Sequence, residues 1–487
     1  MHVYTLLIAL TLVAARNPIN TSAGWGGIAD PHVRVFNGVF YLYTTHDFAP
    51  QDKGFINKDW RIFSSPDLLT WTLESTLLPN ATPARLPDYS TCWATDAAQG
   101  PDGRFYFYLS IGHSQIAVMR GDTPTGPWVD VLGQPLINQT LGAALNTEAR
   151  DPGILADEDG SHYLVFGTFN YYIARLGPDM MSLAEAPRAI AIATVGGGPP
   201  TSQNGLGILD DKPFLHKKSG AYYFSFGGFY GTGASPYGPF VQHDPTWVSP
   251  ALIAPDFSLP GSSGPCWCQQ TNYNDRHGSF FSAQGQDFWS SNDRSHSSDA
   301  FNTNFYRDTI LTYVHYLSNG SIAPVVIDAV GVGSYDAALG VEAENYFALR
   351  GPSGRKWHDA AGRRFAVTGL REGSAVSYPH IAGTALTTRL VLRCASAGGP
   401  ANASASAPAV VAQLRAVEAG GARLLCAAEL RGLAGGRGGE AESDWQDIAC
   451  DMAQPLGANE LHLELQLLGG GVGEAEGVLL DKISFEG

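Results

Sequence analysis

The sequence predicts an all-β chain: a five-bladed β-propeller followed by a jelly-roll-like β-sandwich. Three observations carry that expectation: a five-fold turn repeat, alternating apolar runs near the C-terminus, and almost no helical periodicity. Five times a glycine at a hairpin tip precedes aromatic strand residues. The turns are Asn37-Gly38 before Phe40-Tyr41-Leu42-Tyr43, Asp102-Gly103 before Phe105-Tyr106-Phe107-Tyr108, Asp159-Gly160 before Tyr163-Leu164-Val165, Ser219-Gly220 before Tyr222-Tyr223-Phe224, and Gln284-Gly285 before Phe288-Trp289. Their glycines lie 65, 57, 60 and 65 residues apart. One strand-turn-strand unit per period is what small antiparallel sheets repeated about an axis leave in a sequence.

Seven to nine residues before each glycine stand Asp30, Asp96, Asp151, Asp211 and His277. If each unit is one blade, these residues open the first strand of every blade and converge near the axis. Crowded carboxylates separate in pKa, and that separation is what paired acid and base catalysis needs.

At 487 residues the chain exceeds one propeller of about 300 residues and leaves an ordinary domain over. A hydrophobic content of 44% supports a buried core, and a net charge of −16 argues against nucleic acid and anionic membrane surfaces. A neutral polysaccharide suits that charge, and a monomer is expected. The apolar run Val3 to Ala15, closing on Val13-Ala14-Ala15, reads as an export signal over residues 1–15 and predicts a secreted, extracellular protein. Sequons at Asn20, Asn80, Asn138, Asn319 and Asn402 agree with a glycoprotein. Six cysteines fall three to each half, so pairing within halves leaves an odd thiol in each. No metal is inferred from them.

Aromatic, turn-punctuated sequence runs from residue 16 to 332, and residues 333–340 form a linker. From 341 to 487 the composition shifts to Ala, Gly, Leu and Val, with Leu461-His462-Leu463-Glu464-Leu465-Gln466-Leu467 alternating as a half-buried strand does. Ala401 to Ala407 and Gly435 to Gly439 read as loops.

The first region resembles glycoside hydrolase family 43. The resemblance rests on Ala29-Asp30-Pro31, Phe63-Ser64-Ser65-Pro66-Asp67-Leu68-Leu69-Thr70-Trp71, Trp93-Ala94-Thr95-Asp96, Asp122-Thr123-Pro124-Thr125-Gly126-Pro127-Trp128 and Arg150-Asp151-Pro152-Gly153, in that order. It implies an inverting enzyme on a five-bladed propeller, an α-L-arabinofuranosidase ahead of a β-xylosidase or exo-galactanase, with no cofactor required. Asp30 would be the general base and Asp151 the carboxylate that orients and tunes the acid. The acid is ordinarily a Glu before Gly-Pro or Ala-Pro; here Asp211-Lys212-Pro213 stands in that place, one methylene shorter. A non-catalytic glycan-binding propeller that has lost its acid is the rival reading. The resemblance also places His277 on the axis beneath the site. Trp93 either stacks on sugar or packs between blades, Arg307 either clamps a sugar hydroxyl or pairs with a carboxylate, and Asp96 is structural. The second region is similar to carbohydrate-binding modules of family 6, through Val341-Glu342-Ala343-Glu344-Asn345-Tyr346 and Leu480-Asp481-Lys482-Ile483-Ser484-Phe485. That likeness implies a structural calcium on Glu342 and Glu344, and sugar stacking on Trp445, then Trp357 and Tyr378.

Overall fold

The computed structural model describes residues 26–200 apart from 53 and 86–89, then 211–243, 276–283, 286–293, most of 305–322, and most strands between 325 and 486. The expected export signal, Cys266 and Cys268, Gln284-Gly285, the sequons at Asn20 and Asn402, and both low-complexity loops lie outside the described residues. Two compact units emerge, one of Pro18–Ile327 and one built chiefly of Asp328–Ala360 and Arg364–Gly487.

Among its described residues the first unit lays down, in chain order, five sheets of three or more strands and one further strand pair. Sheet one pairs β1 (Ile28–Phe36), β2 (Val39–Asp47), β3 (Asn57–Ser65) and β4 (Thr72–Leu77). Sheet two holds β5 (Cys92–Gln99), β6 (Phe105–Ile111) and β7 (Ile116–Gly121). Sheet three holds β8 (Gly153–Ala156), β9 (His162–Phe166), β10 (Tyr172–Arg175) and β11 (Arg188–Ala189). Sheet four adds β12 (Ile192–Ala193) to β13 (Pro213–Lys218), β14 (Ala221–Phe226), β15 (Phe229–Gly233) and β16 (Phe240–Gln242). After β17 (Trp247–Val248), sheet five comprises β18 (Phe280–Ala283), β19 (Gln286–Asp293) and β20 (Asp308–Val314), and β21 (Val325–Val326) pairs with β17.

The turn residues explain the hairpins. Phe36 pairs with Val39 across Asn37 and Gly38, whose φ values of 52° and 79° suit a two-residue primed turn. Lys218 and Ala221 close on Ser219 and Gly220 in the same way, with φ of 51° and 80°.

Aromatic strands are needed because each sheet is covered on both faces. Successive side chains of a strand point to opposite faces. Tyr106 and Tyr108 of β6 accordingly join a core with Ile154, Leu164 and Phe166 of sheet three. Phe107 and Leu109 join one with Tyr43, Trp60 and Ile62 of sheet one. In sheet three Tyr163 and Val165 turn the other way, into a core with Phe214, Phe224, Phe280 and Trp289 of sheets four and five. Sheet five also reaches sheet one: Val33 N–H donates to Ser279 Oγ at 2.8 Å and Ser290 Oγ–H to Pro31 O at 2.7 Å.

The second unit has two six-stranded sheets, and strands of both contribute to one core. Leu463, Leu465 and Leu467 are buried there, as their alternation predicts. The opening strand Val341–Glu342 pairs with the closing strand Val478–Glu486. Cys426 and Cys450 form a disulfide between strands of the two sheets, and Cys394 and Cys92 are buried free thiols. Trp445 corrects an expectation: it is 6% exposed among Ala366, Ala395 and Leu479, so its indole fills a gap between small side chains and offers no sugar platform. Tyr378 is likewise core, its hydroxyl donating to Ala343 O at 2.8 Å. The side chains of Glu342, Glu344 and Trp357 lie outside the described residues, so the calcium and the remaining platform are not placed. Among the described residues no helix is long and apolar enough to cross a membrane.

Candidate active site

Three of the five sheets start alike. Asp30, Asp151 and Lys212 each precede a proline, and each has a left-handed backbone, with φ of 50°, 56° and 74°. A following proline closes the right-handed helical region. Aspartate tolerates left-handed φ better than most residues because its short carboxylate bonds locally. At Asp30 the kink falls on a bulge, where pairing with β2 breaks between Ala29 and His32. Such bulges re-aim a side chain out of the ladder, and strain of this kind gathers at functional sites.

Asp30 is buried and multiply held. Its Oδ1 accepts from Arg307 Nη1 at 2.8 Å and Asn292 Nδ2 at 2.9 Å, and lies 3.2 Å from His277 Nδ1. Its Oδ2 accepts from Arg307 Nη2 at 3.2 Å, and its own N–H donates to Asn292 Oδ1 at 2.7 Å. The far side of the same guanidinium meets fully buried Asp47: Nε donates to Oδ2 and Nη2 to Oδ1, both at 2.9 Å, with Arg307 N–H adding a bond of 2.7 Å. Asn57 Nδ2 also donates to Asp47, at 2.8 Å. One planar cation thus spans two buried carboxylates, a geometry that a lysine could not reproduce.

Asp47→Asn keeps the shape but removes the charge that orients this fork. We expect kcat to fall at least about tenfold, as a misplaced catalytic group costs, and stability to fall by about 2 kcal/mol, since Arg307 keeps Asp30 and loses only charge-assisted bonds. Steady-state kinetics and urea unfolding check both.

A second group gathers where sheet three meets sheet four. Buried Asp151 takes the Lys212 backbone N–H on Oδ2 at 3.1 Å, and its own N–H donates to Ser110 Oγ at 2.9 Å. Asp211, partly exposed, pairs with Lys212 Nζ and, at 3.5 Å, with Arg150 Nη2. Arg150 also donates from Nε to Thr168 Oγ1 at 2.9 Å, pairs through Nη1 with Glu148 at 3.1 Å, and lies 5.0 Å from the Trp93 ring centre. Trp93 is half-buried, with its indole N–H on Phe55 O at 3.1 Å and His113 against its edge. Asp211 therefore sits in a cationic setting and not in the apolar pocket that ordinarily keeps a carboxyl protonated.

Asp96 pairs directly with neither group, but its partner His32 packs edge-on against His277, with 5.3 Å between ring centres. Asp96 is fully buried and binds Arg34 through both oxygens, His32 Nδ1 at 3.3 Å, and the N–H groups of Ile154 and Ala97 at 2.6 and 2.8 Å. Burial alone would raise its pKa, but the Arg34 guanidinium and the His32 ring together outweigh that and hold the carboxyl well below the usual range. Burial likewise lowers the pKa of His32.

Of the five repeat residues, Asp30 thus meets His277 directly, Asp151 and Asp211 are joined through Lys212, and Asp96 approaches His277 through the ring of His32. Buried Arg307 stands against Asp30 and half-buried Arg34 against Asp96, so cations are interleaved where crowded carboxylates alone were expected. Arg307 takes the carboxylate-pairing alternative. His277 is 2% exposed, and its Nε2 has no hydrogen-bond partner among the described residues. Sequence reasoning missed Arg34, Asp47, Arg150 and Lys212. Only Arg150 carried a signal, as the residue before Asp151-Pro152. Among the described residues no cluster of three or more His, Cys, Asp or Glu is placed to hold a metal ion.

The model for glycosyl hydrolases family 43 matches residues 15–322. The chain is 30% identical over 364 residues to the β-D-galactofuranosidase xynD of Aspergillus niger, a match covering 68% of this chain and 95% of that enzyme. A xylosidase/arabinosidase of Bacteroides ovatus is 28% identical over 257 residues, 44% of this chain and 76% of the relative. The crystal structure of a family 43 arabinoxylan arabinofuranohydrolase from Bacillus subtilis, in complex with cellotetraose, aligns over 97% of this chain and 99% of its own. Its TM-score of 0.51 at 20% identity is a likeness of fold. With more than half of its length matched by the family model and a 30% identical relative aligned nearly end to end, the chain belongs to glycosyl hydrolases family 43 and is a glycoside hydrolase.

Proposed function

We propose that the first unit is a five-bladed propeller acting as a secreted, inverting exo-hydrolase that releases α-L-arabinofuranosyl residues from plant or algal polysaccharide. Asp30 serves as general base, Asp151 orients the acid, and Asp211 is the acid, a role that requires bound substrate to draw Lys212 and Arg150 away from its carboxyl. The observation that carries this reading is the placement of Asp30: buried, turned out of its strand by a bulge, and fixed by Arg307, Asn292 and His277. A carboxylate so oriented can take a proton from water without reorganising. Asp151 and Asp211 are linked through Lys212 and supply the two remaining carboxylates. An inverting pair needs about 6.5–9.5 Å between base and acid to admit that water. The relatives from Bacteroides ovatus, Paenibacillus polymyxa and Bacillus subtilis bear arabinosidase or arabinofuranohydrolase names.

A second reading is favoured by the galactofuranosidase, which this chain matches over 95% of its length. α-L-Arabinofuranosides and β-D-galactofuranosides share ring configuration and differ by one exocyclic hydroxymethyl group, so a modest change in pocket depth separates them. The test is a panel of nitrophenyl arabinofuranoside, galactofuranoside, xyloside and galactoside, with proton NMR of the first-formed anomer. Fastest turnover of the arabinofuranoside with inversion is expected. Preference for the galactofuranoside selects the second reading, and retention of configuration overturns the mechanism. No sugar-stacking role is assigned to Trp445.

A further inference from the structure

The turn between β9 and β10 carries Phe169, which is 52% exposed and has a left-handed backbone, φ 63°. A side chain with a Cβ is disfavoured there, and glycine or asparagine is the usual occupant. A phenyl ring held in water gains nothing from burial. Neither backbone preference nor packing, then, accounts for phenylalanine at this position. Phe48 is similarly exposed, but the Lys58 ammonium lies 4.0 Å above its ring.

The turn is also firmly tied. Gly167 N–H donates to Arg150 O at 2.9 Å, Thr168 N–H to Thr147 Oγ1 at 3.0 Å, Thr147 Oγ1–H to Asn170 O at 2.8 Å, and Asn170 Nδ2 to Asn146 O at 2.9 Å. Thr168 Oγ1 accepts from Arg150 Nε, and the other end of that guanidinium reaches Asp211. An apolar ring fixed outward one residue from this linkage has the form of a ligand platform, and strain at such a position is a pointer to function.

We propose that Phe169 stacks on the sugar ring of the polysaccharide backbone on the leaving-group side of the scissile bond, and so sets preference for polymeric aglycones. The side follows from Asp211: the acid protonates the glycosidic oxygen, and the backbone departs past it. The proposal rests on the reading of Asp211 given above.

The test compares Phe169→Gly, Phe169→Ala and Phe169→Tyr on two substrates, methyl α-L-arabinofuranoside and an arabinoxylo-oligosaccharide, with thermal melting alongside. Loss of one stacking contact predicts a fall of about fivefold to tenfold in kcat/KM on the oligosaccharide for the Gly and Ala variants. The methyl glycoside should be hydrolysed at the unmodified rate, the tyrosine variant should retain oligosaccharide activity, and the glycine variant should melt no lower than the unmodified protein. Equal loss on both substrates, or none on the oligosaccharide, overturns the role of Phe169 and leaves the hydrolase reading standing. An unmodified protein inactive on both substrates overturns the arabinofuranosidase reading and this proposal together.

Discussion

Asp30→Asn is expected to lower kcat by about 10²- to 10⁴-fold, the range typical of a lost general base, while sugar binding and the fold persist. Asparagine is among the few residues that accept a left-handed backbone before proline, so the bulge should survive. Its amide is nearly isosteric with the carboxylate and can still accept from one donor. Arg307 loses one anion but keeps Asp47 on its other side, so the buried cation is not stranded. Calorimetric titration with product and a thermal melt separate loss of chemistry from loss of structure. A variant retaining more than about a tenth of the activity would remove Asp30 from the role of base.

Asp211→Ala should discriminate between leaving groups. Natural glycosides depart as alkoxides and need a proton, so kcat is expected to fall about 10²-fold or more; activated aryl glycosides should lose less than about tenfold. The basic limb of the pH profile should flatten, since it reports the acid. Arg150 retains Glu148 at 3.1 Å and Thr168, so the surrounding frame has other anchors. Equal loss across leaving groups would make Asp211 a structural ion-pair member, and unchanged activity on a natural oligosaccharide would exclude it altogether.

Much of the frame was legible because its signals are local. Asn37-Gly38 and Ser219-Gly220 adopt their turns whatever lies elsewhere, and strand alternation sorts Tyr106 from Phe107 within one strand. The same period placed Asp30 and His277 at blade starts, and they lie 3.2 Å apart. What could not be read was charge pairing across sheets. Asp96 holds an equivalent position in the repeat, yet Arg34, reaching from β1, binds both of its oxygens. Asp47 and Arg307 are 260 positions apart, and neither neighbourhood in sequence announces the other. The fate of Trp445 depended on the small size of Ala366 and Ala395, residues whose placement no periodicity reveals.

The partners of Asp30 bear on the order in which the site is made. His277, Asn292 and Arg307 all follow it by more than 240 residues, so the proposed base is synthesised early and positioned last. The loop-closure entropy of that span must be overcome before these contacts form. On the ribosome the early sheets can assemble on one another as they emerge, but a nascent chain that stops short of Arg307 has no fixed base. With Asp30 in its proposed role, hydrolytic competence therefore arrives only once the chain has been made through Arg307.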